Sequence, residues 1–113
     1  MLKRYLAKPG RDIQLLVGDQ HVLPGYVGGF DGVGRRLVLR SHPTEYEVWH
    51  ELGHYLDFRK KGQEFYNIPA LHPRVDKEQV VFDMLENSKR WERLTYEQQQ
   101  HAIWYIQSVG GVR

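Results

Sequence analysis

The spacing of apolar residues changes near residue 41, and this change constrains the fold more than any other feature of the sequence. In the first forty residues, short apolar runs at 11–17 and 36–40 flank a stretch, 25–34, in which five of ten residues are glycine. Short runs separated by glycine-rich turns are typical of antiparallel strands. We therefore predict a small antiparallel sheet in residues 1–40. Across 21–27 only a short or edge strand is expected, because Pro24 interrupts the run.

Helical periodicity begins after this point. Pro43 suits the first turn of a helix, and Glu45 and Glu47 suit the positive end of the helix dipole. Apolar residues then recur at helical spacing as far as a basic cluster at 59–61, where Gly62 should end the helix. The pattern predicts one long helix between Pro43 and Gly62.

Two further helices are expected in the rest of the chain. After a polar loop at 63–73, the second should cover about residues 74–87. The third should begin at a capping box formed by residues 95–98 and stop at Gly110. The inward face of the second helix should carry Val80, Val81, Met84 and Leu85. The prediction is one α+β domain, 1–113, with a β-rich part at 1–40 and a helical part at 41–113.

The composition excludes several classes of protein. A net charge of +2 lacks the basic excess of a dedicated nucleic-acid binder. No stretch reaches the roughly 18 apolar residues that a membrane span requires. Neither a nucleic acid nor a membrane is therefore expected as a partner. No signal peptide is visible, because the basic N-terminus is not followed by an apolar segment.

The chain has no cysteine. This excludes a disulfide scaffold, a thiol nucleophile and every thiolate-ligated zinc site. If the protein binds a transition metal, imidazole and carboxylate groups must hold it.

Residues 50–54 read His-Glu-Leu-Gly-His, an HExxH motif within the first predicted helix. Because four residues make about one helical turn, His50 and His54 project from one face and can hold one Zn²⁺. Glu51 lies about 100° around the helix, within reach of a zinc-bound water. Zinc lowers the pKa of that water to about 7, and Glu51 can take its proton during attack on a carbonyl and later deliver it to the leaving amine. A glycine inside a helix is costly, so Gly53 indicates that a neighbouring backbone approaches closely there.

A catalytic zinc needs a third protein ligand. The metzincin class is excluded, because it requires glycine and histidine where this chain has Asp57 and Lys60. Glu78 lies at the edge of the apolar face of the second helix, where an unpaired carboxylate is costly, whereas Asp83 and Glu86 project towards solvent. We therefore predict Glu78 as the third ligand, with His72 as the alternative.

Three other residues are candidates for supporting roles. Asp57 lies one turn beyond His54 and could accept a hydrogen bond from a ligand histidine, or else pair with a neighbouring lysine. His101 and Tyr105 lie one turn apart at the margin of the third helix. Either could stabilise the oxyanion that forms when a peptide bond is attacked.

The segment HELGHYLDF at 50–58 resembles the active-site helix of the zincin-like metallopeptidase toxin domains of bacterial polymorphic toxin systems. Family-like segments at 77–83, 89–91 and 101–111 extend the resemblance over residues 41–111. The resemblance implies a minimal zincin-like fold with zinc as cofactor. It also implies that the ligands are His50, His54 and Glu78, with Glu51 as the base.

The same resemblance implies an effector that is released into a competitor cell, cleaves a protein in its cytosol and is neutralised by a cognate immunity protein. Such domains normally end a long secreted polypeptide, whereas this chain starts at Met1. An excised toxin domain and a free-standing, cytoplasmic protein are both compatible with that start. Two other functions remain open. One is a small intracellular or phage-type zinc metallopeptidase that cleaves a regulatory protein, and the other is a binding module whose motif holds structural zinc or none.

Overall fold

The computed structural model describes residues 13–113, in which a three-stranded sheet is followed by five α-helices. The predicted α+β class is confirmed, although residues 11 and 12 of the first predicted strand lie outside the described part. The strands are β1 (Gln14–Val17), β2 (Gly28–Asp31) and β3 (Arg36–Leu39), and a 3₁₀ turn (Asp19–His21) follows β1. The helices are α1 (Glu45–Lys61), α2 (Gln63–Asn67), α3 (Arg74–Glu86), α4 (Arg90–Arg93) and α5 (Tyr96–Ser108).

The sheet has the order β1–β3–β2, and its pairing corrects the prediction of a purely antiparallel sheet. A tight turn joins β2 to β3, and these two strands are antiparallel. By contrast β1 pairs parallel with β3, with Leu15 opposite Leu37. The longer connection from β1 to β3, which passes through β2, permits this parallel pairing.

The strand expected across 21–27 does not form. The chain instead makes the 3₁₀ turn ending at His21, passes Pro24, and enters β2 only at Gly28. The paired glycines Gly28 and Gly29, which the sequence analysis assigned to a turn, are therefore strand residues opposite Leu39 and Val38.

Helix α1 packs between the sheet and the later helices. Leu37 of β3 lies under the buried residues of α1 in one apolar cluster. A second cluster joins α1 to α3 and α5, and Trp49 packs against both clusters. The buried members of the first cluster are Leu37, Leu52, Tyr55, Phe58 and Tyr66. The buried members of the second are Tyr46, Phe82, Leu85, Leu94, Ala102 and Ile106.

The ends of α1 show how the sequence positions this helix. The Thr44 side chain accepts a hydrogen bond from the Glu47 backbone, and the Glu47 carboxylate accepts one from the Thr44 backbone. Pro43 therefore precedes the N-cap, whereas the sequence analysis placed it in the first turn. Gly62 ends the helix as expected, with a φ of 90° that favours glycine.

The other two predicted helices form close to the predicted residues, but a short extra helix and the buried face of α3 were not predicted correctly. The predicted third helix is confirmed as α5, with its capping box at Thr95. The loop expected at 63–73 contains the short helix α2, which the sequence analysis missed. On α3, Met84 was predicted to face inward, but it is 38% exposed. Val80 is only half-buried, and the buried face carries Glu78, Val81, Phe82 and Leu85.

Gly53 allows α1 and α3 to pack closely. A Cβ atom added at this position would lie 3.2 Å and 3.3 Å from the two methyl carbons of Val81. The approaching group is therefore a side chain of α3, whereas a neighbouring backbone was predicted. Because Glu78 lies one turn before Val81 on α3, this contact also controls how near Glu78 comes to α1.

Among the described helices, none combines the length and the apolar character that crossing a bilayer requires.

We predict that Gly53→Leu lowers the free energy of unfolding by about 1–3 kcal/mol, because the added atoms would overpack the contact with Val81. Chemical denaturation measures the loss. The double variant Gly53→Leu/Val81→Ala should be more stable than the sum of the two single changes indicates, since the shortened residue 81 makes room. Strictly additive effects would contradict this account of the helix contact.

Candidate metal centre

Helix α1 places the three polar residues of the HExxH motif in one cluster. One ligand atom from each of His50, Glu51 and His54 lies within 4.8 Å of the others, and the two imidazole centroids are 4.9 Å apart. His54 and Glu51 are buried and His50 is half-buried. The one-turn spacing of the histidines thus produces the shared face that the sequence predicts.

Glu78 of α3 lies against both histidines. Its Oε2 atom is 3.2 Å from Nε2 of His50, and its Oε1 atom is 3.2 Å from Nε2 of His54. The Glu78 side chain is only 10% exposed. Two helices that are separate in the chain therefore direct two imidazoles and one carboxylate towards a single point.

This arrangement fits the donor set of a zinc site. Ligand atoms about 2.0–2.2 Å from a tetrahedral zinc lie about 3.3–3.5 Å from one another, close to the separations between Glu78 and the two histidines. In addition, Glu78 Oε2 is buried and makes no well-oriented hydrogen bond with the described residues. Nε2 of His50, at 3.2 Å, is within ion-pair distance of this oxygen but lacks hydrogen-bond geometry. A buried carboxylate oxygen without a hydrogen bond is costly, and a bound cation would satisfy it. This oxygen and the donor types both fit a cation.

The electrostatics of the cluster also favour positive charge. Burial alone would raise the pKa of Glu78, but its contacts with His50 and His54 outweigh burial and hold that pKa well below its usual range. Burial alone would lower the pKa of His50, but the carboxylates of Glu78 and Glu51 raise it above its usual value. In the absence of a metal the site therefore attracts protons. A metal would replace those protons, since ligand histidines must be neutral.

Two buried tyrosines lie behind the motif histidines. The hydroxyl of Tyr46 is 3.5 Å from Nδ1 of His50, and the hydroxyl of Tyr66 is 3.5 Å from Nδ1 of His54. Burial raises the pKa of each tyrosine well above its usual range, so both hydroxyls stay protonated and neutral. Each histidine thus has one ring nitrogen beside a phenol oxygen and the other beside Glu78. This is the arrangement that fixes the tautomer and the ring orientation of a ligand histidine.

The carboxylate of Glu51 lies on the other side of the motif, beside β2. A Cβ atom added to Gly28 would be 3.5 Å from Glu51 Oε2 and only 2.8 Å from the carbonyl oxygen of Val38. Gly28 therefore lets β2 pass close to Glu51, where a larger residue would clash with the Val38 carbonyl and crowd the carboxylate. Burial raises the pKa of Glu51, although His50 and His54 oppose the shift. A carboxylate with a raised pKa is a better proton acceptor than a fully solvated one.

Glu51 and His50 line a cavity of about 280 Å³ that is open to solvent. Helix α5 supplies the opposite wall, where the Tyr105 ring lies 5.6 Å from that of His50. The ring of Tyr46 lies 5.5 Å from that of His50 and 5.5 Å from that of His101. The structure thus brings His101 and Tyr105 to the cavity where the predicted base lies. The cavity is also lined by Arg74, whose Nη2 donates to the Tyr105 hydroxyl at 3.3 Å.

Asp57 was expected to contact either a ligand histidine or a lysine, and the structure pairs it with His72 and Lys61. Its buried carboxylate lies 2.6 Å from Nε2 of His72 and 3.0 Å from Nζ of Lys61. The lysine contact is the alternative that the sequence left open, and Tyr66 occupies the place beside His54. His72, the rival third ligand, is engaged with Asp57. Since His72 directly precedes Pro73 and α3, this pair ties the start of α3 to α1 and helps to position Glu78.

Four residues of the site were missed in the sequence: Tyr46, Tyr66, Gly28 and Arg74. Tyr46 precedes His50 by one helical turn, and that spacing was a usable signal. Tyr66, Gly28 and Arg74 reach the site only through tertiary packing, so no local pattern indicates them.

Comparisons of the chain with protein-family models, with curated proteins and with solved structures found no match. The chemistry of the site must therefore be judged from its own residues. These provide two imidazoles and a carboxylate around one point, a second carboxylate beside an open cavity, and a phenol and an imidazole on the opposite wall.

We predict that Tyr46→Phe and Tyr66→Phe each weaken zinc binding by about 10-fold or more, because each change removes the oxygen beside a ligand imidazole. Competition with a chromogenic chelator measures the affinity. Tyr96→Phe is the control, since Tyr96 is 74% exposed. An affinity equal to that of the wild type in both buried variants would show that the tyrosines do not orient the histidines.

Proposed function

We propose that the protein is a zinc-dependent endopeptidase in which His50, His54 and Glu78 hold the metal and Glu51 is the catalytic base. The observation that carries the proposal is the contact of Glu78, from a separate helix, with Nε2 of both motif histidines. A chance HExxH sequence on a solvated helix face would have no reason to meet a buried carboxylate there.

A purely structural cluster of the same three residues is a weaker interpretation. Such a cluster needs only a protonated histidine and a carboxylate to join two helices. It does not account for the missing hydrogen bond at Oε2 of Glu78, nor for the second carboxylate, that of Glu51, beside an open cavity. A metal centre that faces a substrate cleft accounts for both.

When bound, zinc would supply Lewis acidity to the scissile carbonyl and acidify the attacking water. Glu51 would accept the proton of that water, and its raised pKa suits a group that must also return a proton to the leaving amine.

Side chains of α5 can donate hydrogen bonds to the proposed transition state. Burial raises the pKa of the Tyr105 phenol, so its hydroxyl remains protonated and can donate to a developing oxyanion. The hydrogen bond from Arg74 polarises that hydroxyl and makes it a better donor. The cavity also contains His101, which can supply a second donor or bind the substrate backbone.

The biological setting follows from the resemblance of residues 50–58 to toxin metallopeptidases. We propose an effector that acts on a protein in the cytosol of a target bacterium and is restrained by an immunity protein. The absence of cysteine is compatible with work in a reducing compartment.

The two carboxylates are predicted to have separable roles. Glu51→Gln should retain zinc and lower peptide hydrolysis by at least about 100-fold, because the amide cannot accept the proton. Glu78→Ala should instead weaken zinc binding. Metal analysis after dialysis and a quenched-peptide assay measure the two properties, with Glu97→Gln on the surface of α5 as the control. If zinc is lost from Glu51→Gln and retained by Glu78→Ala, the ligand and base roles are the reverse of those proposed.

Expression in a bacterial cytosol tests the proposed setting. The wild-type chain should arrest growth and produce new protein termini, and Glu51→Gln should do neither, because it retains the fold but lacks the base. Growth curves and terminal proteomics measure the two effects. Normal growth with soluble, zinc-loaded wild-type protein would contradict the effector assignment and leave the peptidase proposal to be judged by the assay above.

A further inference from the structure

Arg74 is the first residue of α3 and lines the same cavity as Glu51 and His50. It is exposed to solvent, and its described hydrogen bond is to the neutral hydroxyl of Tyr105. None of the ion pairs formed within residues 13–113 includes Arg74. The cleft therefore contains a guanidinium group that no carboxylate of the described chain neutralises by direct contact.

The presence of arginine at position 74 is not explained by a contribution to helix stability. A cation at the first residue of a helix lies at the positive end of the helix dipole, where an acidic residue is favoured. Residues that break a local rule in this way are often found at functional sites. Two other carboxylates line the same cavity, those of Glu47 and Glu51. Glu47 is already held by two hydrogen bonds from Arg40, at 2.7 Å and 3.0 Å. Neither carboxylate forms an ion pair with Arg74 within residues 13–113.

The position of Arg74 relative to the proposed chemistry follows from Tyr105. The guanidinium Nη2 is 3.3 Å from the Tyr105 hydroxyl. If that hydroxyl donates to the scissile carbonyl at about 2.8 Å, the guanidinium lies within about 6 Å of the reacting oxygen. An extended peptide advances about 3.3–3.6 Å per residue, so the guanidinium lies about two residue lengths from the cleaved bond.

We propose that Arg74 is a specificity-determining residue that binds a substrate carboxylate within two residues of the scissile bond. This inference rests on the proposed peptidase function and names its substrate class: peptides with an acidic group beside the cleavage point. Planar guanidinium groups bind carboxylates through paired hydrogen bonds, and such charge-assisted contacts are stronger than neutral ones. The carboxylate can belong to an Asp or Glu side chain or to a free C-terminus, which would make the enzyme act near chain ends.

Paired peptides test this inference through binding, without a need for turnover. The protein carrying Glu51→Gln is loaded with zinc and titrated calorimetrically with short peptides that differ only in Asp against Asn or Glu against Gln. A second set compares a free C-terminal acid with the C-terminal amide. The acidic member of at least one set should bind about tenfold more tightly or better. The set that shows the preference identifies the source of the carboxylate.

Substitution of the arginine gives the decisive comparison. Arg74→Gln should abolish the preference, so that the acidic and amide members of each pair bind with equal affinity. Arg113→Gln is the matched control, because Arg113 pairs with Glu86 at the far end of α3 and its loss removes the same charge. If Arg74 only positions Tyr105, both members of each pair would weaken equally, and the proposal would be wrong. Equal binding of acid and amide by the protein with Arg74 intact, or no binding of either, would also overturn it.

The outcomes separate the two proposals. A carboxylate preference that depends on Arg74, together with no hydrolysis by the zinc-loaded wild type, would refute the peptidase and leave the carboxylate subsite. Hydrolysis of neutral and acidic peptides at equal rates would refute the subsite and leave the peptidase.

Discussion

The contact between Glu78 and the two motif histidines is the interaction on which the rest of the structure depends. It requires α3 to approach α1 closely, and the glycine at position 53 permits that approach by leaving space for Val81. It also requires α3 to begin at the right place, which the buried pair of Asp57 and His72 secures. The packing of the helices therefore serves the geometry of one polar cluster.

The parts of the site that follow from local rules could be predicted from the sequence. The one-turn spacing places His50 and His54 on one face whatever surrounds the helix. Glu78 could be predicted because helical periodicity placed a carboxylate near an apolar face, where it needs a partner. The partner of Asp57 could not be chosen in this way, since a lysine one turn away and a histidine in a distant loop compete for it.

The failures in the fold have a common physical origin. Whether β1 pairs parallel or antiparallel with β3 depends on the route of a non-local connection, and local turn signals describe only the β2–β3 hairpin. Gly28 was assigned to a turn because glycine is usually a turn residue. In the structure its lack of a side chain matters inside a strand, where the carbonyl of Val38 and the carboxylate of Glu51 are close by. Composition cannot distinguish these two uses of glycine.

The balance of charge around α1 connects stability with function. Glu51, His54, Asp57 and Glu78 are all buried, in a chain that has no disulfide to offset the cost of burying them. Asp57 is satisfied by Lys61 and His72, whereas Oε2 of Glu78, although 3.2 Å from His50, makes no hydrogen bond within residues 13–113. Because a buried oxygen without a hydrogen bond is costly, a cation bound by Glu78 and the histidines would stabilise the folded chain. Under the function proposed above, one ion would both link α1 to α3 and serve as the reactive centre.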